Sequence, residues 1–294
     1  MSKNEFRGNY IGGGKIMERN YELTPEQKWE QATLANNFIF YKVMRHHPDA
    51  CQLLLEMLLN IKIEKMTIAN EEVIDVDHDA KSIRLDVYVK EAKRVYDIEI
   101  QIVDTKELPE RARFYSSAMD LDILAAGQDF KELPDSHVIF ICMEQIFEND
   151  LPVCTFENLC LEDKETKLND RSYKHFFIAP TCAKMIKDKE VKSFFEFLIS
   201  NKAQTNYTSD LSKYVADAKR NTQWRLQYMT VERLERYAFK NGHEQGVAEG
   251  IVTGVQQKAV EDAIMLIHEY KEKPEVAAKK MKAPLERVLE ALKQ

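Results

Sequence analysis

The stretch RLDVYVKEAKRVYDIEIQIVD, residues 84–104, decides the fold. Two runs with strand-like alternation flank a short charged segment. Leu85, Val87 and Val89 share one face of the first run, with Asp86 and Tyr88 on the other. In the second run Tyr96, Ile98 and Ile100 share one face, and Asp97, Glu99 and Gln101 the other. The two apolar faces coincide in an antiparallel hairpin only when paired residue numbers add to an odd total. A four-residue loop at Glu91–Arg94 makes that total 185 and sets Asp86 across from Glu99, with Gln101 one step further along the same face. Opposed like charges destabilise a strand pair. Such a face either surrounds a hard divalent cation or is an acidic, solvated sheet surface.

Outward from the hairpin, EEVIDVDHD (71–79) carries the same alternation and predicts a third strand, completing a β-meander. Upstream, T-P-E-Q at Thr24–Gln27 is an N-terminal helix signal and predicts a helix over 25–45. His47-Pro48 breaks it, and DACQLLLEMLLNI restarts a helical pattern containing Glu56. Downstream, Leu108-Pro109 opens a helix that Gly127 would close at C′. SHVIFICM (136–143) is apolar throughout, as a strand covered on both faces would be, and PVCTFEN and SYKHFFIA predict further strands. From about residue 185 the pattern is helical. Gly242, Gly246, Gly250 and Gly254 recur every four residues, reading either as a close-packed helix interface or as a partly helical hinge. Two short helices around Ala283-Pro284 would end the chain in a helix-turn-helix-like outline.

Of 294 residues, 44% are hydrophobic, enough for a sizeable core. No apolar run approaches the roughly 20 residues that span a bilayer, and the first 20 residues lack the apolar core of a secretory signal. The expected location is the cytoplasm, with no membrane partner. Five cysteines without a C-x-x-C pair predict reduced, mostly buried thiols, and scattered histidines argue against structural zinc. The net charge of -7 is uneven, with residues 71–180 at -12. That segment repels a polyanion unless cations intervene, and attracts divalent cations.

The order α, β, β, β, α, β, with acids on the second and third strands, resembles the core of the PD-(D/E)XK nucleases. The runs NNFIFYKV, RLDVYVKEAKRVYDIEIQ, RARFYSSAMDLDILAAGQDFKELPDSHVIFIC and VCTFENLC, with the glycine-spaced tail, resemble the Rpn family of recombination-promoting nucleases and putative transposases, over residues 30 to 255. The resemblance implies an α/β fold: a restriction-endonuclease-like core with a mixed sheet flanked by helices, followed by a helical C-terminal region. The expected organisation is a flexible tail at 1–23, a nuclease-like domain at 24–184, a helical region at 185–241 and a glycine-spaced helical tail at 242–294.

By the same resemblance, Asp86 and Glu99 would ligate Mg²⁺, with Mn²⁺ as a possible substitute. Gln101 would stand where the superfamily usually has lysine. It can hydrogen-bond to water or phosphate but carries no positive charge. Glu56 matches the acid of the leading helix in many of these nucleases, and equally reads as an exposed glutamate of an amphipathic helix. Arg111 and Tyr115, an i, i+4 pair, could reach the phosphate, with Arg113 pointing elsewhere. The implied function is Mg²⁺-dependent DNA endonuclease activity, associated with recombination or transposition. DNA would be met largely by the basic C-terminal third, including Lys219, Arg220 and Arg225, and a homodimer would form through the C-terminal helices. The alternative is a catalytically weak or inactive nuclease fold that binds DNA or protein. The missing lysine supports it, and the intact acidic pair speaks against it.

Overall fold

A computed structural model describes residues 23–69, 73–74 and 83–293. The N-terminal tail expected over 1–23 falls almost wholly outside the described residues, as does most of EEVIDVDHD. The single helix expected over 25–45 is two, α1 (Pro25–Gln31) and α2 (Asn37–His46). The break has a local cause: the Asn36 side chain accepts the Ile39 N–H at 3.2 Å and caps a new helix, while Leu34 is buried within the intervening turn. Pro48 then opens α3 (Pro48–Leu59), which ends at Asn60 in the left-handed conformation, φ 52°.

Six strands form one mixed sheet: β1 (Met66–Ile68), β4 (Val87–Glu91), β5 (Arg94–Gln101), β6 (Asp135–Cys142), β8 (Ser172–Ile178) and β7 (Val153–Phe156), in that order. The hairpin register is as the parity argument expects. Val87 pairs with Ile98, Tyr88 with Asp97 and Val89 with Tyr96, each pair adding to 185. The predicted meander is corrected at its first strand. The neighbour of β4 is Met66–Ile68, and the described part of EEVIDVDHD, β2 (Val73–Ile74), instead pairs with β3 (Ile83–Arg84) in a separate two-stranded ribbon. The chain bends at Asp86 between that ribbon and the main sheet.

β5 runs antiparallel to β4 and parallel to β6, and β6 runs parallel to β8. Both faces of the central strands are buried. The helix α4 (Leu108–Ile123) contributes Leu108, Ala112, Ala118 and Met119 to a core with Tyr88, Val95, Val138, Phe140 and Phe176, and so covers the face that carries Asp97 and Glu99. It is pinned by Ser116, whose hydroxyl lies 3.2 Å from that of Ser136 and 2.8 Å from that of Ser172. Gly127 is not its C′ residue: α4 stops at Ile123, and Gly127, φ 90°, sits in the next turn, where Gln128 N–H donates to the Ala125 carbonyl.

On the opposite face, His137 stacks against Tyr96 at 5.2 Å and Tyr173 at 5.0 Å. Its Nδ1 lies 3.0 Å from His175 Nε2, so the two rings share one proton, while its Nε2 is buried without a hydrogen-bond partner. Burial pushes both imidazoles down to about 4. The unfolded chain takes up these protons near 6.5, so the pair's contribution to stability is whole above that pH and is lost as pH falls toward 4. In EDTA, the urea midpoint of wild type should therefore fall more steeply between pH 6.5 and 4.5 than that of His137→Phe, which keeps the ring stack. Parallel pH profiles would contradict a buried neutral pair.

The remaining helices are α5 (Ala179–Met185), α6 (Lys189–Ser200), α7 (Asn206–Arg220), α8 (Thr222–Tyr270), α9 (Pro274–Met281) and α10 (Leu285–Ala291). The chain divides into two compact units, Glu26–Tyr228 and Met229–Gln294, the second including the residues up to Pro25. In the second unit, Val260 and Ala263 of α8 pack with Ala277, Ala278 and Val288 of the two short helices, around a left-handed Lys282.

α8 continues without interruption through the four spaced glycines, so this segment is helix rather than hinge. A Cβ added at Gly242, Gly246, Gly250 or Gly254 would meet nothing within 4 Å. Each Gly→Ala change should then stabilise the helix by roughly 0.5–1 kcal/mol, chiefly by restricting the unfolded chain. A Gly246→Ala/Gly250→Ala variant with an unchanged or lower melting transition by circular dichroism would contradict this.

Candidate metal and phosphate site

The covering of the acid face by α4 decides its character. It is not a solvated surface: Asp97 is 0% exposed and Glu99 2%. β5 places both between β4 and β6, with Asp97 paired to Val138 and Glu99 to Phe140. Asp86 stands one residue before the first hairpin pair, where the register sets it opposite Glu99. Its backbone N–H donates to the Glu99 carboxylate, and its own charge bears on both Glu99 and Asp97.

The electrostatics follow from this crowding. Burial, reinforced by Asp86 and opposed by Arg111, pushes Glu99 up to about 8. Asp97 is held well above the usual carboxylate range, first by burial and then by Glu99 and Asp86. Neither Asp97 oxygen has a hydrogen-bond partner. A fully buried carboxyl in that condition costs several kcal/mol unless something else compensates it. The sequence places Asp97 on the acid face without pointing to a role for it. The available signal was its parity with Glu99, which puts it under the same helix.

Arg111 projects from α4 into this group. Its Nη2 donates to Glu99, its Nη1 to Gln101 Oε1 at 2.8 Å, and its Nε and Nη2 to the Tyr115 hydroxyl at 3.1 and 3.0 Å. Burial and the charge of Glu99 push the Tyr115 phenol up to about 12, so it remains a neutral donor. The structure thus brings together Asp86, Glu99, Gln101, Arg111 and Tyr115, with Asp97 added.

The other predicted residues have contacts or positions of their own. Glu56 is bound up in the loop after α3: it accepts the Ile63 N–H at 3.0 Å and pairs with Lys62 at 3.0 Å, and the Ile63 hydrogen bond holds it below the usual carboxylate range. Lys219 donates to the Glu30 carbonyl at the end of α1, Arg220 pairs with Asp217, and Arg225 is exposed near the start of α8, next to Trp224, which packs on His46. Arg113 is exposed.

A profile of the PD-(D/E)XK nuclease family transposases matches residues 36–245, well over half the chain. The chain belongs to this family. Its mixed sheet with flanking helices and helical C-terminal part is the PD-(D/E)XK architecture, and membership ties the chain to nuclease or transposase-related function. Neither curated proteins nor solved structures gave a match. PD-(D/E)XK nucleases generally use divalent metals. The donor set suits such an ion, with hard oxygen ligands and a fully buried, unpartnered carboxyl alongside. Among the described residues, no three Asp, Glu, His or Cys side chains converge closely enough to hold an ion by themselves, and no helix is long and apolar enough to cross a membrane.

Proposed function

We propose that this chain is a Mg²⁺-dependent DNA endonuclease that hydrolyses phosphodiester bonds during recombination or transposition, with Mn²⁺ able to replace Mg²⁺. The observation that carries this reading is the hairpin register, which sets Asp86 opposite Glu99 under a helix, at an electrostatic cost that a divalent cation would remove. Asp86 and Glu99 would hold the ion through their carboxylate oxygens. When bound, it polarises a phosphoryl oxygen and acidifies a water. Gln101 orients water or phosphate through its amide, and Arg111 and Tyr115 supply donors to the phosphate oxygens.

Lys219, Arg220 and Arg225 meet the DNA backbone away from the reacting phosphate. The exposed apolar side chains of α8, Val247, Ile251 and Val255 among them, support self-association as a homodimer, and a cytoplasmic location fits the composition. The organisation proposed is a nuclease-like domain at 24–184, a helical region at 185–241 and the glycine-spaced tail. A second reading, a nuclease fold without turnover that binds DNA or protein, is favoured by the hold of Arg111 on Glu99.

The test is cleavage of supercoiled plasmid with Mg²⁺, Mn²⁺, Ca²⁺ or EDTA, with Glu99→Ala alongside. Nicking or linearisation that needs metal and vanishes in the variant is expected. Equal activity in both proteins would sink the site. Retarded but uncut DNA in both would favour the second reading.

A further inference from the structure

The charge that faces Glu99 comes from its own chain. The Arg111 guanidinium donates to Glu99 and Gln101 while lying over the Tyr115 and Phe140 rings, 5.4 Å from each centroid. A guanidinium and a divalent cation compete for one carboxylate and repel each other at such range. Building on the nuclease reading, we propose that Arg111 is an exchangeable cation: it holds Glu99 in the metal-free chain, yields it to the incoming ion, and turns its freed N–H edge to the phosphate.

Three features make the exchange possible. The Arg111 side chain is 28% exposed, so its head has a route outward. Tyr115 grips Nε and Nη2 through its hydroxyl, which also hydrogen-bonds Glu99, so one contact of the guanidinium persists when its own bond to Glu99 is given up. Gln101, in contact with the same guanidinium, brings no charge of its own, so the displaced arginine supplies the positive charge that the strand lacks. The arrangement therefore couples metal binding to the presentation of a phosphate-binding group.

Calorimetric titration of the full chain with Mn²⁺ tests this, using wild type, Arg111→Gln, Arg111→Lys and Glu99→Gln. Arg111→Gln should bind Mn²⁺ about tenfold or more tightly than wild type while cutting plasmid more slowly. Arg111→Lys should fall between them, and Glu99→Gln should abolish binding. A merely structural arginine would leave affinity unchanged or weaker. That result, with Glu99-dependent binding in wild type, would overturn the exchange and leave the nuclease reading standing. No Mn²⁺ binding by either wild type or Arg111→Gln would bring down both. Should Arg111→Gln not fold, the Arg111 Nε–H resonance of wild type can be followed through a Mg²⁺ titration. It should shift as the site fills, and a signal unmoved at saturation overturns the proposal.

Discussion

Glu99→Gln should lower metal-dependent cleavage by roughly 10³-fold or more, because an amide oxygen, a weaker ligand than a carboxylate, brings no negative charge to neutralise a divalent cation. The same substitution should leave the stability of the metal-free chain within about 1 kcal/mol of wild type. Removing one partner of a buried ion pair usually costs more. Here, however, burial and Asp86 already outweigh the pull of Arg111 on Glu99, and Arg111 keeps Tyr115, Gln101 and some solvent. Initial cleavage rates in Mg²⁺, beside a thermal melt in EDTA, measure both effects. A variant that cuts at the wild-type rate would remove Glu99 from the site. One that unfolds would show that the Arg111 contact is structural.

Asp97→Val should raise the stability of the metal-free chain by about 1–3 kcal/mol, or roughly 3–10 °C in melting temperature. The native side chain is wholly buried between Tyr88 and Val138, and neither oxygen has a partner. Valine suits a central strand and relieves the repulsion from Glu99 and Asp86. Asp97→Asn separates charge from shape: it removes the negative charge but leaves polar atoms to satisfy, so its gain should be smaller. A lower melting temperature for Asp97→Val in EDTA would mean that the carboxyl is compensated in the native state.

Much of this arrangement is legible in the sequence because it is local. The two hairpin strands lie within twenty residues of each other, and a period of two leaves only one parity in which both apolar faces turn the same way. With the four-residue loop at Glu91–Arg94 fixing the total at 185, that pairs Asp86 with Glu99. What surrounds them is not local. The burial of Asp97 and Glu99 is imposed by α4 and β6, and no feature of residues 84–104 distinguishes a covered acid face from a wet one. The break between α1 and α2 depends on an Asn36 cap inside an otherwise helical pattern, and Gly127 marks a turn four residues beyond the helix it was expected to end. Glu56 adds a local partner that residue spacing alone does not reveal: its carboxylate accepts the Ile63 N–H.

The two acids also differ in how firmly their backbones are held. Glu99 lies in a strand bonded to neighbours on both sides, so its amide should exchange with solvent only when the sheet opens as a whole. Asp86 sits at a bend just outside the first pair of the hairpin, where the ladder ends and its N–H is held by the Glu99 side chain instead of a strand partner. An ion joining the two would act as a staple across that fraying end. Slowed amide exchange on metal addition should therefore be concentrated around Leu85–Val87, with little change along β5.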